Sequence, residues 1–165
     1  MIAIEPITIG NLAAFKAVRL RALLDTPSAF GSTYAREVAM TDADWSLRVE
    51  RWSGERGIGL LAVDGNEPCG IAGVLVDERD ATHGQLVSMW TDPAFRRRGV
   101  GRMLVEAIIA WAEQAGLRRL DLFVTSNNER ATRLYGGLGF TMTSRSIPYV
   151  NDPALLEFEM TRAIP

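Results

Sequence analysis

Three consecutive arginines run into a glycine-rich turn at Arg96-Arg97-Arg98-Gly99-Val100-Gly101, and the chemistry those residue types suit is the binding of a phosphate-like anion. The stretch lies between Pro93, which ends a strand, and a helical stripe of apolar residues that begins at Val100, so it forms the approach to a helix. The first turn of a helix leaves backbone N–H groups unpaired and carries the positive end of the dipole. Glycines there let an anion come close to the backbone. Two familiar anion loops do not fit. A Walker loop needs a Gly-Lys-Ser/Thr ending that is absent, which argues against ATP hydrolysis. A dinucleotide fingerprint needs a third glycine at position 104, where Leu104 stands, and its strand should not belong to an antiparallel meander. An arginine-rich turn that merely stabilises a helix start has the same composition, so a second motif has to decide.

Nucleophilic and metal chemistry find little support. Cys69, the only cysteine, lies in the apolar run Cys69-Gly70-Ile71-Ala72-Gly73-Val74 and reads as a buried core thiol. One cysteine also excludes an internal disulfide and suits a reducing cytoplasm. His83, the only histidine, follows turn formers around Asp80 and reads as an exposed loop residue. No Gly-x-Ser-x-Gly elbow is present, so a serine triad is not indicated, and no metal site is expected. With 18 basic and 20 acidic residues the net charge is -2, which gives no global attraction to nucleic acid or anionic membrane. No apolar run reaches the roughly 20 residues of a membrane span, and no signal-peptide pattern opens the chain. A cytoplasmic protein without a nucleic-acid or membrane partner is expected. At 165 residues and 47% hydrophobic, the chain fits one domain, residues 1–165, with its own core.

The elements that must position the arginine turn follow from periodicity. Ile2-Ala3-Ile4 predicts a strand, and Leu12, Phe15, Val18, Leu20 and Leu23 recur at helical spacing up to Asp25. Thr26 to Gly31 breaks that helix. A second one starts near Thr41, a capping residue, and runs through Trp45, Val49 and Trp52, whose tryptophans read as core. Ile58–Val63 and Cys69–Val76 predict antiparallel strands joined by Asp64-Gly65-Asn66, and Gln85–Thr91 predicts a third. Val100, Leu104, Ile108, Trp111 and Ala115 share a helix stripe that Gly116 closes. Leu120–Val124 predicts the next strand, and strand, helix, strand in that order implies a parallel pair in a mixed sheet. A short helix over Asn128–Leu138, closed by Gly139, precedes two strands flanking the region of Pro148 and Asn151-Asp152-Pro153.

The second motif is Asn128-Glu129-Arg130-Ala131-Thr132-Arg133-Leu134-Tyr135, followed by Gly139-Phe140. It resembles the Asn-x-x-Ala-x-x-Leu-Tyr pattern and Gly-Phe exit of the GNAT acetyltransferase superfamily. Both motifs stand in that family's order, separated by a helix and a strand, and the resemblance spans nearly the whole chain. It implies an α/β (α+β) fold with a central, strongly twisted, mixed sheet of about six or seven strands flanked by about four helices. It also implies an N-acetyltransferase that uses acetyl-CoA on a primary amine of a small molecule or peptide by direct attack, and a homodimer. Carried over by position, the backbone of Met89, Trp90 and Thr91 meets the pantetheine arm. Arg97, Arg98, Gly99, Val100, Gly101 and Arg102 hold the pyrophosphate mainly through amides, Arg96 closes the loop, and Asn128 hydrogen-bonds the pantetheine. Tyr135 matches the family's acid: a phenol with pKa near 10 is protonated at neutral pH and can donate to the departing sulfur.

The base is not legible. Some family members carry a glutamate where Phe123 stands here, which leaves Glu37 acting through water, or water alone, as substitutes. The resemblance assigns the acceptor side to Leu23–Trp52 and the late hairpin, where Phe30, Tyr34 and Glu37 combine aromatic and acidic groups able to receive an amine. The alternative to an enzyme is a non-catalytic acyl-CoA-binding sensor.

Overall fold

The computed structural model describes residues 1–165. Seven strands form one sheet: β1 (Ile2–Pro6), β2 (Gly57–Asp64), β3 (Glu67–Val76), β4 (His83–Thr91), β5 (Arg119–Thr125), β6 (Thr141–Tyr149) and β7 (Asp152–Ala163). Their order is β1-β2-β3-β4-β5-β7-β6. Every pairing is antiparallel except β4 with β5, the pair crossed over by helix α4 (Val100–Gln114). This is the mixed sheet the sequence predicts. The remaining helices are α1 (Leu12–Asp25), α2 (Tyr34–Val38), α3 (Asp42–Glu50) and α5 (Glu129–Gly136). None of them is long and apolar enough to cross a membrane.

The sheet is covered on both faces. On one, the buried stripe Val100, Leu104, Val105, Ile108 and Ala112 of α4 packs on Ala72, Val74, Leu120 and Leu122, and Cys69 joins this core as expected. On the other, Phe15, Val18, Ala22 and Leu23 of α1 surround Trp45 and Trp52 over Leu61, Ile71 and Trp90. Trp45 is completely buried, with Phe15 edge-on at 5.7 Å between centroids. Trp52 lies over Gly59 and Gly73, which stand opposite each other in the β2–β3 register. A Cβ at Gly59 would sit 2.3 Å from Trp52 Cε3, and one at Gly73 2.7 Å from Cζ2. The indole occupies the space two side chains would need.

Local signals set most boundaries. Thr41 caps α3 by accepting from the Asp44 N–H at 3.2 Å, and Asp44 returns the bond to the Thr41 N–H at 2.8 Å, a capping box. Pro6 is accommodated because β1 is an edge strand. Four expectations need correction. Helix α2 falls between the Thr26–Gly31 break and the helix at Thr41, where the sequence predicts no element; Thr33 caps it, but its five residues are too few to show periodicity. Two helices end early, α5 at Gly136 rather than Leu138 and α3 at Glu50 rather than Trp52. His83 is not in a loop: it opens β4, with Nε2 2.6 Å from Asp121 Oδ2. Its partner comes from a neighbouring strand, which local sequence cannot reveal.

Gly59→Val is expected to lower stability by about 1–3 kcal/mol through overpacking against Trp52, read as a lower urea midpoint. An unchanged midpoint would contradict this packing.

Candidate active site

The site begins where two strands part. The parallel pairing of β4 with β5 runs over His83↔Arg119, Gly84↔Leu120 and Gln85↔Asp121 and then stops. The remainder of both strands, Leu86–Thr91 and Leu122–Thr125, lines a cleft of about 810 Å³. A bulge accompanies the parting. Ile71 faces Trp90 and Gly73 faces Val87, so Ser88 and Met89 together stand opposite Ala72. Ser88 adopts φ 59°, uncommon for a residue with a side chain. Bulges bend a strand and re-aim its backbone groups beside functional sites.

The bulge is held from α1. Arg19 Nη1 donates to Ser88 Oγ at 3.0 Å, while its Nε and Nη2 donate to Glu37 at 2.9 and 2.8 Å. Arg48 adds a contact to the same carboxylate at 2.8 Å. Glu37 is 1% exposed. Burial by itself would push its carboxyl up, but the hydrogen bonds and charges of Arg19 and then Arg48 outweigh that and hold it below the usual range. This corrects the expectation for Glu37. A buried carboxylate engaged by two arginines neither receives an amine nor accepts a proton, and Glu37 does not line the cleft. Tyr34 does not line it either. Phe30 does: it is buried against the Arg19 guanidinium, 4.6 Å from its ring centroid, and its carbonyl accepts from Tyr149. That bond ties the acceptor-side loop to the β6–β7 hairpin.

At the open end of the fork, Trp90 Nε1 donates to Asp25 Oδ2 at 2.9 Å, and Arg96 pairs with the same carboxylate while its Nε donates to the Thr91 carbonyl at 3.1 Å. Burial would raise the Asp25 carboxyl; bonds from Thr26, Trp90 and Arg96 bring it below its ordinary value. Arg96 is therefore a staple between β4 and α1. The next turn requires left-handed backbone, φ 65° at Arg97 and 79° at Gly99, before α4 starts. Met103 is the first N–H to reach a helical acceptor, the Gly99 carbonyl at 3.0 Å, so the amides of Val100, Gly101 and Arg102 are open. A Cβ on Gly101 would lie 3.1 Å from Met89 Cε and 3.2 Å from Leu134 Cδ2. Arg97, Gly99, Val100, Gly101 and Arg102 line the cleft; Arg98 does not. Its guanidinium turns to Asp64 at 2.8 Å and over the Phe95 ring, so its side chain is removed from the anion cradle.

Met89, Trp90, Thr91, Asn128 and Tyr135 all line the cleft. Asn128 caps α5: its Oδ1 accepts from the Ala131 N–H at 3.1 Å, which commits the oxygen and leaves the amide NH₂ for a ligand. Tyr135 is 6% exposed, edge-on to Phe140, and burial pushes its phenol well above the ordinary value. It stays protonated throughout the physiological range. Thr91 and Thr125 each bury a hydroxyl oxygen without a partner, a cost unless something polar occupies the cleft.

Sequence reasoning missed Arg48, Arg51, Ile147 and Glu157, which complete the wall on the acceptor side. Glu157 sits on β7 opposite Thr125 and Ile147, and burial raises its carboxyl. The alternation of Glu157 and Glu159 along a strand was the available signal. It could not tell that Glu159 is taken up by Arg145 and Thr143 and Glu157 is not.

The chain is similar to known acetyltransferases. The model of the acetyltransferase (GNAT) family matches residues 20–140. A mycothiol acetyltransferase of Propionibacterium freudenreichii is 32% identical over 54% of this chain and 33% of its own length, so the chain spans about a third of that relative. The [ribosomal protein bS18]-alanine N-acetyltransferase of Salmonella typhimurium is 40% identical over 49% of this chain and 51% of its own. Among solved structures, a GNAT-family acetyltransferase from Streptococcus pneumoniae is 25% identical and superposes over 100% of both chains with a TM-score of 0.86.

The Glu37 pairing carries a pH signature. Its lowered pKa means the stabilisation is complete above the ordinary glutamate value of about 4.3 and is lost as pH falls through the lower native value. Glu37→Gln leaves two arginines without their counter-charge and is expected to cost about 3–5 kcal/mol at neutral pH. In urea denaturation the gap to the parent should narrow below about pH 4. A gap independent of pH would contradict the assignment.

Proposed function

The chain belongs to the acetyltransferase (GNAT) family, and on that premise we propose that it transfers an acetyl group from acetyl-CoA to a primary amine of a small molecule or peptide. The observation that carries this reading is the fork between β4 and β5 ending on the open first turn of α4. Three features of the fork fit such a donor. The unpaired edges of two strands suit an extended amide-bearing arm. The orphaned hydroxyls of Thr91 and Thr125 suit polar company. The bare Cα of Gly101 lets a pyrophosphate reach the helix amides. A Salmonella typhimurium acetyltransferase with acetyl-CoA has the same fold, at a TM-score of 0.84 and 19% identity.

Bound there, acetyl-CoA supplies a thioester carbonyl open to attack by an amine and a thiolate as leaving group. Backbone groups of Met89, Trp90 and Thr91 orient the arm, with the Asn128 amide donating from the other side. Amides of the Arg97–Arg102 turn take the pyrophosphate. A backbone N–H near Trp90, turned by the bulge, donates to the carbonyl oxygen as it gains charge. Tyr135 keeps its proton at neutral pH and gives it to the departing sulfur. A buried phenolate is costly, so Tyr135 recovers its proton as the amide forms.

Relatives named for acceptors as different as mycothiol and an alanine of ribosomal protein bS18 leave the acceptor to the walls formed by α1, α3 and the β6–β7 hairpin. A non-catalytic acyl-CoA sensor is distinguished by thiol release: turnover with any amine above a no-acceptor blank excludes it.

Tyr135→Phe is expected to lower kcat roughly 100-fold with acetyl-CoA affinity unchanged by calorimetry, since the ring's packing on Phe140 survives; equal rates would remove the acid role. Gly101→Glu should abolish acetyl-CoA binding by filling the cradle and opposing its charge, and an unaltered Kd would refute the cradle.

A further inference from the structure

The charged residues that line the cleft are seven arginines, Arg19, Arg48, Arg51, Arg96, Arg97, Arg102 and Arg130, and one carboxylate, Glu157. The arginines divide by place. Arg96, Arg97, Arg102 and Arg130 belong to the α4 and α5 end, where an anionic donor would lie. Arg19 and Arg48 are committed to Glu37, and Arg51, at the C-cap of α3, has the same sign as an ammonium. On the acceptor side an ammonium group therefore meets one group of opposite charge. Glu157 stands on the same sheet face as Thr125, its partner in the β5–β7 register, and Ile147, its partner on β6. Phe123, two residues along β5, shares that face and lines the cleft too. No lysine or arginine neutralises Glu157, whereas Glu159, one step further along the same face, is 3.3 Å from Arg145.

Resting on the acetyl-transfer reading, we infer that Glu157 receives the acceptor's ammonium group and takes its proton, supplying from β7 the base that Phe123 cannot. The carboxylate accepts one proton from R–NH₃⁺ and passes it to solvent. The freed nitrogen lone pair forms the C–N bond as the C–S bond breaks. A second proton leaves nitrogen as the amide forms and replaces the one Tyr135 gave to sulfur. The balance is one ammonium and one thioester giving one amide, one thiol and one released proton. Burial, with Thr125 and Ile147 beside it and no cation in contact, raises the Glu157 carboxyl, toward the range in which a base both accepts and releases protons. Arg19, Arg48 and Arg51 line the same cleft without contacting Glu157, and the first two are neutralised by Glu37. Phe123, Ile147 and Phe30 line the same cleft, an apolar surface suited to an amine carried on an apolar group.

Two measurements test it. In Glu157→Gln, assayed with ethylamine, 2-phenylethylamine, an amino-acid amide and a dipeptide, kcat/KM should fall roughly 100-fold with acetyl-CoA affinity and urea midpoint unchanged. The loss of wild-type rate at acid pH should also disappear. A wild-type enzyme active on one of these amines beside a variant within about threefold of it overturns the inference and leaves acetyl transfer standing. No thiol release by the wild type on any amine overturns both. Independently of turnover, carboxyl ¹³C titration of the free chain should show the signal absent from Glu157→Gln titrating above the ordinary glutamate value of about 4.3; a midpoint at or below it overturns the inference.

Discussion

Everything functional in this molecule depends on one departure from regular structure: β4 and β5, neighbours in a sheet, hydrogen-bond over three register pairs and then separate. Unpaired strand edges are costly when buried, so the separation has to be enforced at both ends. At the closed end, His83 meets Asp121, which also receives Thr161 Oγ1, and this polar cluster locks β4, β5 and β7 together. At the open end, Trp90 and Arg96 both reach Asp25 at the end of α1. Between them the Ser88 bulge turns β4 away while Arg19 holds its side chain.

The means of enforcement explains an otherwise expensive feature. Burying Arg19 and Glu37 desolvates two charges, and such pairs seldom contribute much net stability. Here the pair sits between α1, α2 and α3 and extends one guanidinium nitrogen to the bulge. It fixes the direction of β4 relative to the helices on the acceptor face. Geometry rather than stability is what the pair supplies, consistent with a cleft whose two walls come from opposite faces of the sheet.

The parts of this arrangement encoded locally were legible in the sequence. The α4 stripe, the Thr41 cap, the turn at Gly65 and the strand-helix-strand order that makes β4 and β5 parallel all follow from residue type and period. The arginine turn and Asn128 to Tyr135 are continuous motifs, so most of their members fall together in the cleft. What stayed hidden depends on partners distant in the chain. Glu37 reads as an available carboxylate base, whereas Arg19 and Arg48 enclose it. The destination of the Arg98 guanidinium is set by Asp64 on a distant strand. Glu157 is one of two alternating strand carboxylates, and only the location of Arg145 separates it from Glu159.

The claim at the centre of this account is that the fork, from the bulge to the first turn of α4, is an acyl-CoA site. Amide hydrogen exchange of the whole chain, with and without acetyl-CoA, tests it residue by residue. The account predicts slowed exchange at Met89–Thr91 and Gly99–Arg102, with the antiparallel β1–β2 pair unaffected. Exchange in those two segments unchanged by acetyl-CoA at a saturating concentration would contradict it.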